Sequence, residues 1–157
     1  MMDFDTLFAS FNDIKVAVIG DVMLDTYWWG KVERISPEAP VPVVAVSKRE
    51  ERIGGAGNVA LNVQALGASV SVLSVVGNDN EADLLNTLLK NNNIITDYII
   101  KSADRITTNK IRIIGRNQQM MRLDAEITNP LSAADELALL TSFEKYIINE
   151  SPSIVIL

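Results

Sequence analysis

Residues 15–20, "KVAVIG", are apolar from Val16 to Ile19, with no polar residue to turn toward water. A strand of that kind is buried on both faces, the condition of a central strand in a parallel sheet. Further strands are predicted at "SVSVLSVVG" (69–77) and "IITDYIIKS" (94–102), and a buried one at "SIVIL" (153–157). Segments of helical period lie between them. One spans 58–66, with Val59, Val63 and Leu66 on one face and Gly67 as its C-terminal cap. A second spans 80–91, with Glu81 and Asp83 in the first turn, where the helix dipole favours acids. A third runs over 132–149, started by Ser132 with Glu136 and given an apolar face by Leu137, Leu140 and Ile147. A short amphipathic helix is also predicted over 3–12, with Phe4, Leu7, Phe8 and Phe11 on one side. Strands alternating with helices specify an α/β fold with a largely parallel sheet flanked by helices.

Two segments break that alternation. Residues 26–51 are rich in proline, aromatic side chains and charges of both signs, and "VPVVAVS" within them reads as an edge strand, because Pro42 cannot donate to a ladder. "KREERI" (48–53) reads as a solvated charged run. "TTNKIRII" and "QQMMRLDAE" read as a hairpin broken by Gly115-Arg116-Asn117. Together the two segments are expected to form a small sheet standing off the main one, a lid over its carboxyl edge. This gives a core of about 1–21, 52–104 and 125–157 and a lid of about 22–51 and 105–124. The strand "SIVIL" closes the sequence at Leu157, where a parallel strand normally hands its chain to a loop, so the chain is expected to be the N-terminal part of one incomplete domain. Its exposed edge is an aggregation risk.

With 157 residues the chain is long enough for one core. The net charge of −6 provides no electrostatic footprint for nucleic acid or an anionic membrane surface, so neither is an expected partner. Cysteine and histidine are absent. That excludes disulfides, thiol nucleophiles, histidine bases and Cys/His zinc sites. A metal would need oxygen ligands, and a general base would be a carboxylate. The start "MMDFDTLFASFND" lacks the basic and long apolar stretches of a secretory leader, and no apolar run reaches the roughly 18 residues of a membrane span. A cytoplasmic location is expected.

The stretch "RIGGAGNVALNVQALGASVSVLSVVGND" (52–79) admits three readings. A Gly-Gly before a helix is a tight turn in the plainest case. Gly55-Ala56-Gly57-Asn58-Val59-Ala60 also fits the dinucleotide pattern, with Asp79 about 20 residues on. There the glycines should follow a core strand directly, whereas a charged run precedes them here. In the third reading Gly54 and Gly55 let the backbone approach a sugar or phosphate, and amides at the helix start offer donors. Asp21 and Asp25 lie just past the first strand's carboxyl end, where ligands of α/β sheets bind.

"GGAGNVALNVQALGASVSVLSVVG" resembles the first signature of the ribokinase-like (PfkB) carbohydrate kinases, with its Gly-Gly pair, Asn58, Ala60, Gly67 and Gly77. Gly20 followed by Asp25 resembles that family's first-strand motif. "GDVMLDTYWWGKVERISPEAPVPVV" and "NKIRIIGRNQQMMRLD" are similar to the heptose 7-phosphate kinase branch, and the likeness extends from about Lys15 onward. The resemblance implies a ribokinase-like sheet with a β lid that closes over the sugar and pairs between subunits, so a homodimer through the lid is a possible assembly. It implies transfer of the ATP γ-phosphoryl group to the anomeric oxygen of heptose 7-phosphate, in ADP-heptose and lipopolysaccharide core biosynthesis.

Carried over residue by residue, the resemblance makes Asp25 the first sugar ligand and Asp21 the second, with Gly54, Gly55 and Asn58 shaping the sugar side of the cleft. Lys110, Arg112 and Arg116, with Asn117 and Gln118 beside them, are expected to meet the substrate's own phosphate. Alternation puts Lys110 and Arg112 on one face; solvated lid charges are the plainer alternative. Trp28 and Trp29 suit stacking on the sugar or packing within the lid. The family's catalytic base sits in a G-A-G-D loop, and an Asn-x-x-Glu element lies near magnesium. Neither occurs in a fitting place here, so no catalytic or metal residue is assigned in this chain, and the base is expected beyond Leu157. ATP and Mg2+ are expected of the full-length enzyme and not of this chain alone. A non-catalytic module that binds a sugar phosphate or dimerises through its lid is the alternative from another class, followed by a nucleotide-binding oxidoreductase domain.

Overall fold

The computed structural model describes residues 3–157. Helix α1 (Phe4–Ala9) begins at Asp3, whose carboxylate caps the Thr6 N–H, and gives way to a 3-10 turn over Ser10–Asp13. Strand β1 (Lys15–Ile19) then passes through Gly20 and Asp21 into β2 (Val22–Ile35), which is followed by β3 (Pro42–Gly55). Next come α2 (Ala56–Ala65), β4 (Ser69–Gly77), α3 (Asn80–Asn91) and β5 (Ile95–Ser102). Strands β6 (Asn109–Gly115) and β7 (Gln118–Ala125), helix α4 (Ala133–Glu150) and β8 (Ile154–Ile156) complete the order.

The strands divide into two sheets. The first has the order β5-β4-β1-β8 and is parallel throughout. Alternation along β1 assigns its faces. Val16 and Val18 join Val70, Val72, Ala60, Leu85 and Leu89 on the side covered by α2 and α3. Ala17 joins Leu73 and the fully buried Tyr146 of α4 on the other. This is the three-layer α/β arrangement that continuous apolar strands require. The second sheet has the order β3-β2-β6-β7, with β2–β3 and β6–β7 antiparallel and β2–β6 parallel. Its anchor is the start of β2, where Val22 and Leu24 enter the same core as Leu85 and Leu89.

Several local expectations need correction. The charged run 48–53 is solvated as expected, but it is part of strand β3, paired to β2 from Leu24↔Ile53 to Trp29↔Lys48, and so does not separate the glycines from a strand. Its charges stay outside the core while Ile53 goes in. Helix α2 starts at Ala56 and buries Gly57 and Ala60, whereas Val59 and Leu66 of the predicted face are 39% and 50% exposed. Small residues let the helix lie close on the strands, and a count of large apolar side chains misses that. In α4 the packed side is Leu139, Phe143 and Tyr146, and the predicted Leu137, Leu140 and Ile147 point outward. The run 153–157 is not a buried strand. Only Ile154–Ile156 pair, as an edge strand with Ile154 and Val155 partly in water, and Leu157 lies past the pairing and is 95% exposed. An apolar run reads as buried in sequence, but β8 has a neighbour on one side alone among the described residues. Phe4 and Phe8 of the first helix are likewise exposed.

Asp79, the acid of the dinucleotide pattern, has a structural use. Its Oδ1 accepts from the Ala82 N–H at 2.8 Å, capping α3, and its Oδ2 accepts from the Thr107 N–H at 2.7 Å. The Thr107 hydroxyl oxygen in turn accepts from the Gly77 N–H. One carboxylate thus binds the end of β4, the start of α3 and the segment leading into β6. Burial opposes its ionisation, but the bonds from Thr107 and Ala82, aided by Lys101, outweigh it and hold the carboxyl below its ordinary value. Asp79→Ala is expected to cost about 1–2 kcal/mol of stability at neutral pH. Because the folded-state pKa is depressed, the contribution is full above the unfolded value near 3.8 and disappears as pH falls through the folded value. Urea titrations at pH 7 and below pH 3 check this: the gap between wild type and variant should narrow in acid.

Candidate functional site

The site lies where the second sheet stands over the carboxyl ends of β1 and β4. A cleft of about 440 Å³ opens there, with Asp21, Met23, Val75, Lys110 and Glu126 among its lining residues. Arg105 closes one wall by donating to the carbonyls of Ile127 and Asn129, at 2.9 and 3.1 Å. The register of the second sheet assigns its two faces. Leu24 and Ile53 turn into the core, so Asp25 and the residues paired with it turn the other way. On that face Asp25 lies opposite Arg52 and Lys110, Tyr27 opposite Glu50 and Arg112, and Arg112 opposite Arg122.

Asp25 and Arg112 form an ion pair in which each side chain is 22% exposed. The guanidinium of Arg52 lies 4.7 Å from the centre of the Tyr27 ring and that of Arg112 lies 5.4 Å from it, so one aromatic ring steadies two cations. Glu50 is held below the ordinary carboxylate range by bonds from Lys48 and Arg52. Arg122 donates twice to Asp124, at 2.8 Å each, and keeps that carboxyl low. Lys110 lies between Glu126 at 3.0 Å and Asp124 at 3.5 Å, and the Glu126 bond raises its pKa despite partial burial.

The glycine pair serves this arrangement. A Cβ on Gly54 would meet Asp25 Oδ2 at 2.5 Å, so the missing side chain is the space the carboxylate occupies. Gly55 has φ +59° and ψ −138°, a backbone region that side chains disfavour, and a Cβ there would fall on the Asp21 carbonyl oxygen. That close approach lets the Ala56 N–H donate to the same carbonyl at 2.9 Å. The glycines do follow a strand directly, but the strand belongs to the second sheet and not to the parallel core. Asn58 is exposed in the first turn of α2, with its carbonyl accepting from the Asn62 side chain.

The structure therefore brings Asp21, Asp25, Gly54, Gly55, Lys110 and Arg112 to one end of the second sheet. Arg116, Asn117 and Gln118 lie at its other end, where the hairpin turns: at roughly 3.3 Å per residue Arg116 is about 20 Å along the strand from Lys110 and about 13 Å from Arg112. Arg116 and Asn117 make the two-residue hairpin turn, both at positive φ, and Arg116 donates to the Val32 carbonyl. Trp29 stacks on Tyr27, and Trp28 carries Arg49 over its ring. Among the described residues the indole N–H of Trp29 is buried without a partner. Sequence reasoning missed Tyr27, Arg52, Arg122 and Asp124. Among the described residues no group of three or more acidic side chains converges on one point. No described helix is long and apolar enough to cross a membrane.

The sequence pattern of the pfkB family carbohydrate kinases matches residues 13–152. Bifunctional protein HldE of Geobacter metallireducens is 47% identical over 132 residues, which make up 84% of this chain and 27% of that protein. D-beta-D-heptose 7-phosphate kinase of Bordetella bronchiseptica is 51% identical over 112 residues, 71% of this chain and 36% of that protein. A solved carbohydrate kinase from Agrobacterium tumefaciens shares the fold with a TM-score of 0.59 at 23% identity, over 71% of this chain and 35% of that one. The chain thus spans only 27% and 36% of the length of these two curated relatives.

The two glycines are expected to separate under mutation. Gly55→Ala should cost about 1–3 kcal/mol, because neither its φ nor the Asp21 carbonyl can give way. Gly54→Ala should leave the fold standing, since the Asp25 side chain can turn aside, but should displace that carboxylate. Chemical denaturation reads the first effect, and the Asp25–Arg112 geometry in a crystal structure of Gly54→Ala reads the second.

Proposed function

Because the chain belongs to the pfkB family of carbohydrate kinases, we propose that it supplies the sugar-gripping part of a kinase acting on D-glycero-D-manno-heptose 7-phosphate. In the overall reaction the γ-phosphoryl group of ATP passes to the anomeric hydroxyl and gives the 1,7-bisphosphate, a step toward ADP-heptose and the lipopolysaccharide core. The observation that carries this reading is the Asp25 carboxylate. It stands half-buried in a space left by Gly54, above the carboxyl edge of a parallel sheet, with cations on every neighbouring strand. The name of the relative at 51% identity, D-beta-D-heptose 7-phosphate kinase, supports the choice of sugar.

Each residue then has a task. A carboxylate accepts from two neighbouring sugar hydroxyls, which orients the ring and aims one hydroxyl away from the protein; Asp25 does this and Asp21 assists. Gly54, Gly55 and Asn58 keep the sugar side of the cleft open. The cations of the hairpin, Lys110 and Arg112, answer the substrate's phosphate. Arg116, Asn117 and Gln118 reach it only if the second sheet, acting as a lid, bends inward or pairs with a second copy. ATP and Mg2+ belong to parts of the enzyme other than the residues described. No described residue is assigned the base.

Calorimetry with heptose 7-phosphate, paired with an ADP-release assay on the same gene product, tests the proposal. Asp25→Asn is expected to weaken sugar-phosphate binding by about 100-fold or more, the worth of two charge-assisted hydrogen bonds. The 157-residue chain alone is expected to bind without measurable turnover. Unchanged affinity in Asp25→Asn would overturn the assignment of the sugar site.

A further inference from the structure

We propose that Arg112 and Arg122 form a clamp for the phosphate of a phosphorylated sugar, and that Arg112 reaches it by leaving Asp25. The inference rests on the reading of Asp25 as the sugar's ligand. It begins with the register of β6 and β7, which places Arg112 directly opposite Arg122 on the face that bears Asp25. Like charges directly opposite each other are destabilising in a sheet. Here each is offset by one carboxylate, Asp25 for Arg112 and Asp124 for Arg122. Two planar guanidinium forks on one face of adjacent strands, free to turn from their carboxylates, match the oxygens of a phosphate better than they match one another.

Arg122 gives its Nε and Nη2 to Asp124, which leaves its Nη1 without a protein partner among the described residues; the other neighbouring cations are less available. Lys110 is held between Asp124 and Glu126, and Arg52 is held by Glu50 at 2.6 Å. Arg112 differs from them because, among the described residues, its only carboxylate partner is the one the sugar needs. A sugar that takes Asp25 with its hydroxyls turns Arg112 out of a half-buried ion pair, and a cation stranded in that way is costly. A phosphate on the same sugar gives it a new partner at once, beside Arg122, while Tyr27 keeps its guanidinium near the cleft throughout. Discrimination against the unphosphorylated sugar is thus built into the ligand-free pairing. Asp25 need not change its charge for this, only its partners.

The test measures binding of two probe pairs, heptose 7-phosphate with heptose and fructose 6-phosphate with fructose, by the whole gene product carrying these residues. Wild type, Arg112→Gln and Arg122→Gln are compared, and the quantity read is the ratio of affinities within each pair. Wild type is expected to favour the phosphorylated member, and each variant to lower that ratio about 10- to 100-fold. Arg112→Gln should bind the free sugar no worse than wild type does, because Asp25 is then released beforehand. If both members of a pair weaken equally, Arg112 only positions Asp25 and the clamp is refuted. Unchanged ratios, or a wild type with no preference for phosphate, refute it as well. A ratio that collapses in the variants for both sugars, with no preference for heptose, upholds the clamp and removes heptose as the substrate.

Discussion

The two sheets meet at one close approach of backbone, and the rest of the site depends on it. The Asp21 carbonyl accepts from the Ala56 N–H across a gap that exists only because residue 55 has no side chain. Strand β1 has just ended and β2 has just begun at that point, while β3 is ending and α2 beginning. That hydrogen bond links the β1–β2 junction to the β3–α2 junction, and beside it the Val22 N–H donates to the Ser74 hydroxyl and ties the start of β2 to β4. Val22, Leu24 and Ile53 fill the angle between the two sheets. With that joint fixed, the alternation of side chains along β2 decides which residues look into the cleft.

Beyond the joint, the second sheet is held more by charge than by burial. Its outer half buries few side chains completely, and its stability rests on cross-strand pairs such as Lys110 with Asp124, on local pairs such as Arg52 with Glu50, and on cations stacked over Tyr27 and Trp28. Individual pairs of this sort contribute little in water. A sheet built from them has contacts that a polar ligand can exchange for its own without opening an apolar core. The parallel sheet, with Ala17, Val70, Val72 and Leu73 nearly or wholly out of water, has no such freedom.

How much of this could be read beforehand follows from which signals are local. "KVAVIG" and "SVSVLSVVG" declared buried parallel strands because their apolar runs leave no polar face, and 80–91 matched α3 because acids and period agreed there. The second sheet was legible as strand-like and separate. Its register was not. A bulge between Ile113 and Ile114 shifts the β6–β7 pairing by one residue, and without it Met121 would lie opposite Arg112 in place of Arg122. A one-residue slip reverses every face, so Arg122 had no visible role in the sequence. Helices α2 and α4 misled for a related reason. Each carries apolar residues on more than one side, and only the packed sheet shows that Ala60 and Tyr146 are the buried ones.

The shared acceptor at Asp79 also has a dynamic meaning. The amides of Ala82 and Thr107 are far apart in sequence, one in a helix and one in a connecting segment, yet both donate to the same carboxylate. Any opening that swings this side chain away exposes both to solvent together. Their hydrogens should exchange as members of one cooperative unit, which extends from the first turn of α3 to the root of β6. How often that one side chain lets go then sets how often this unit opens.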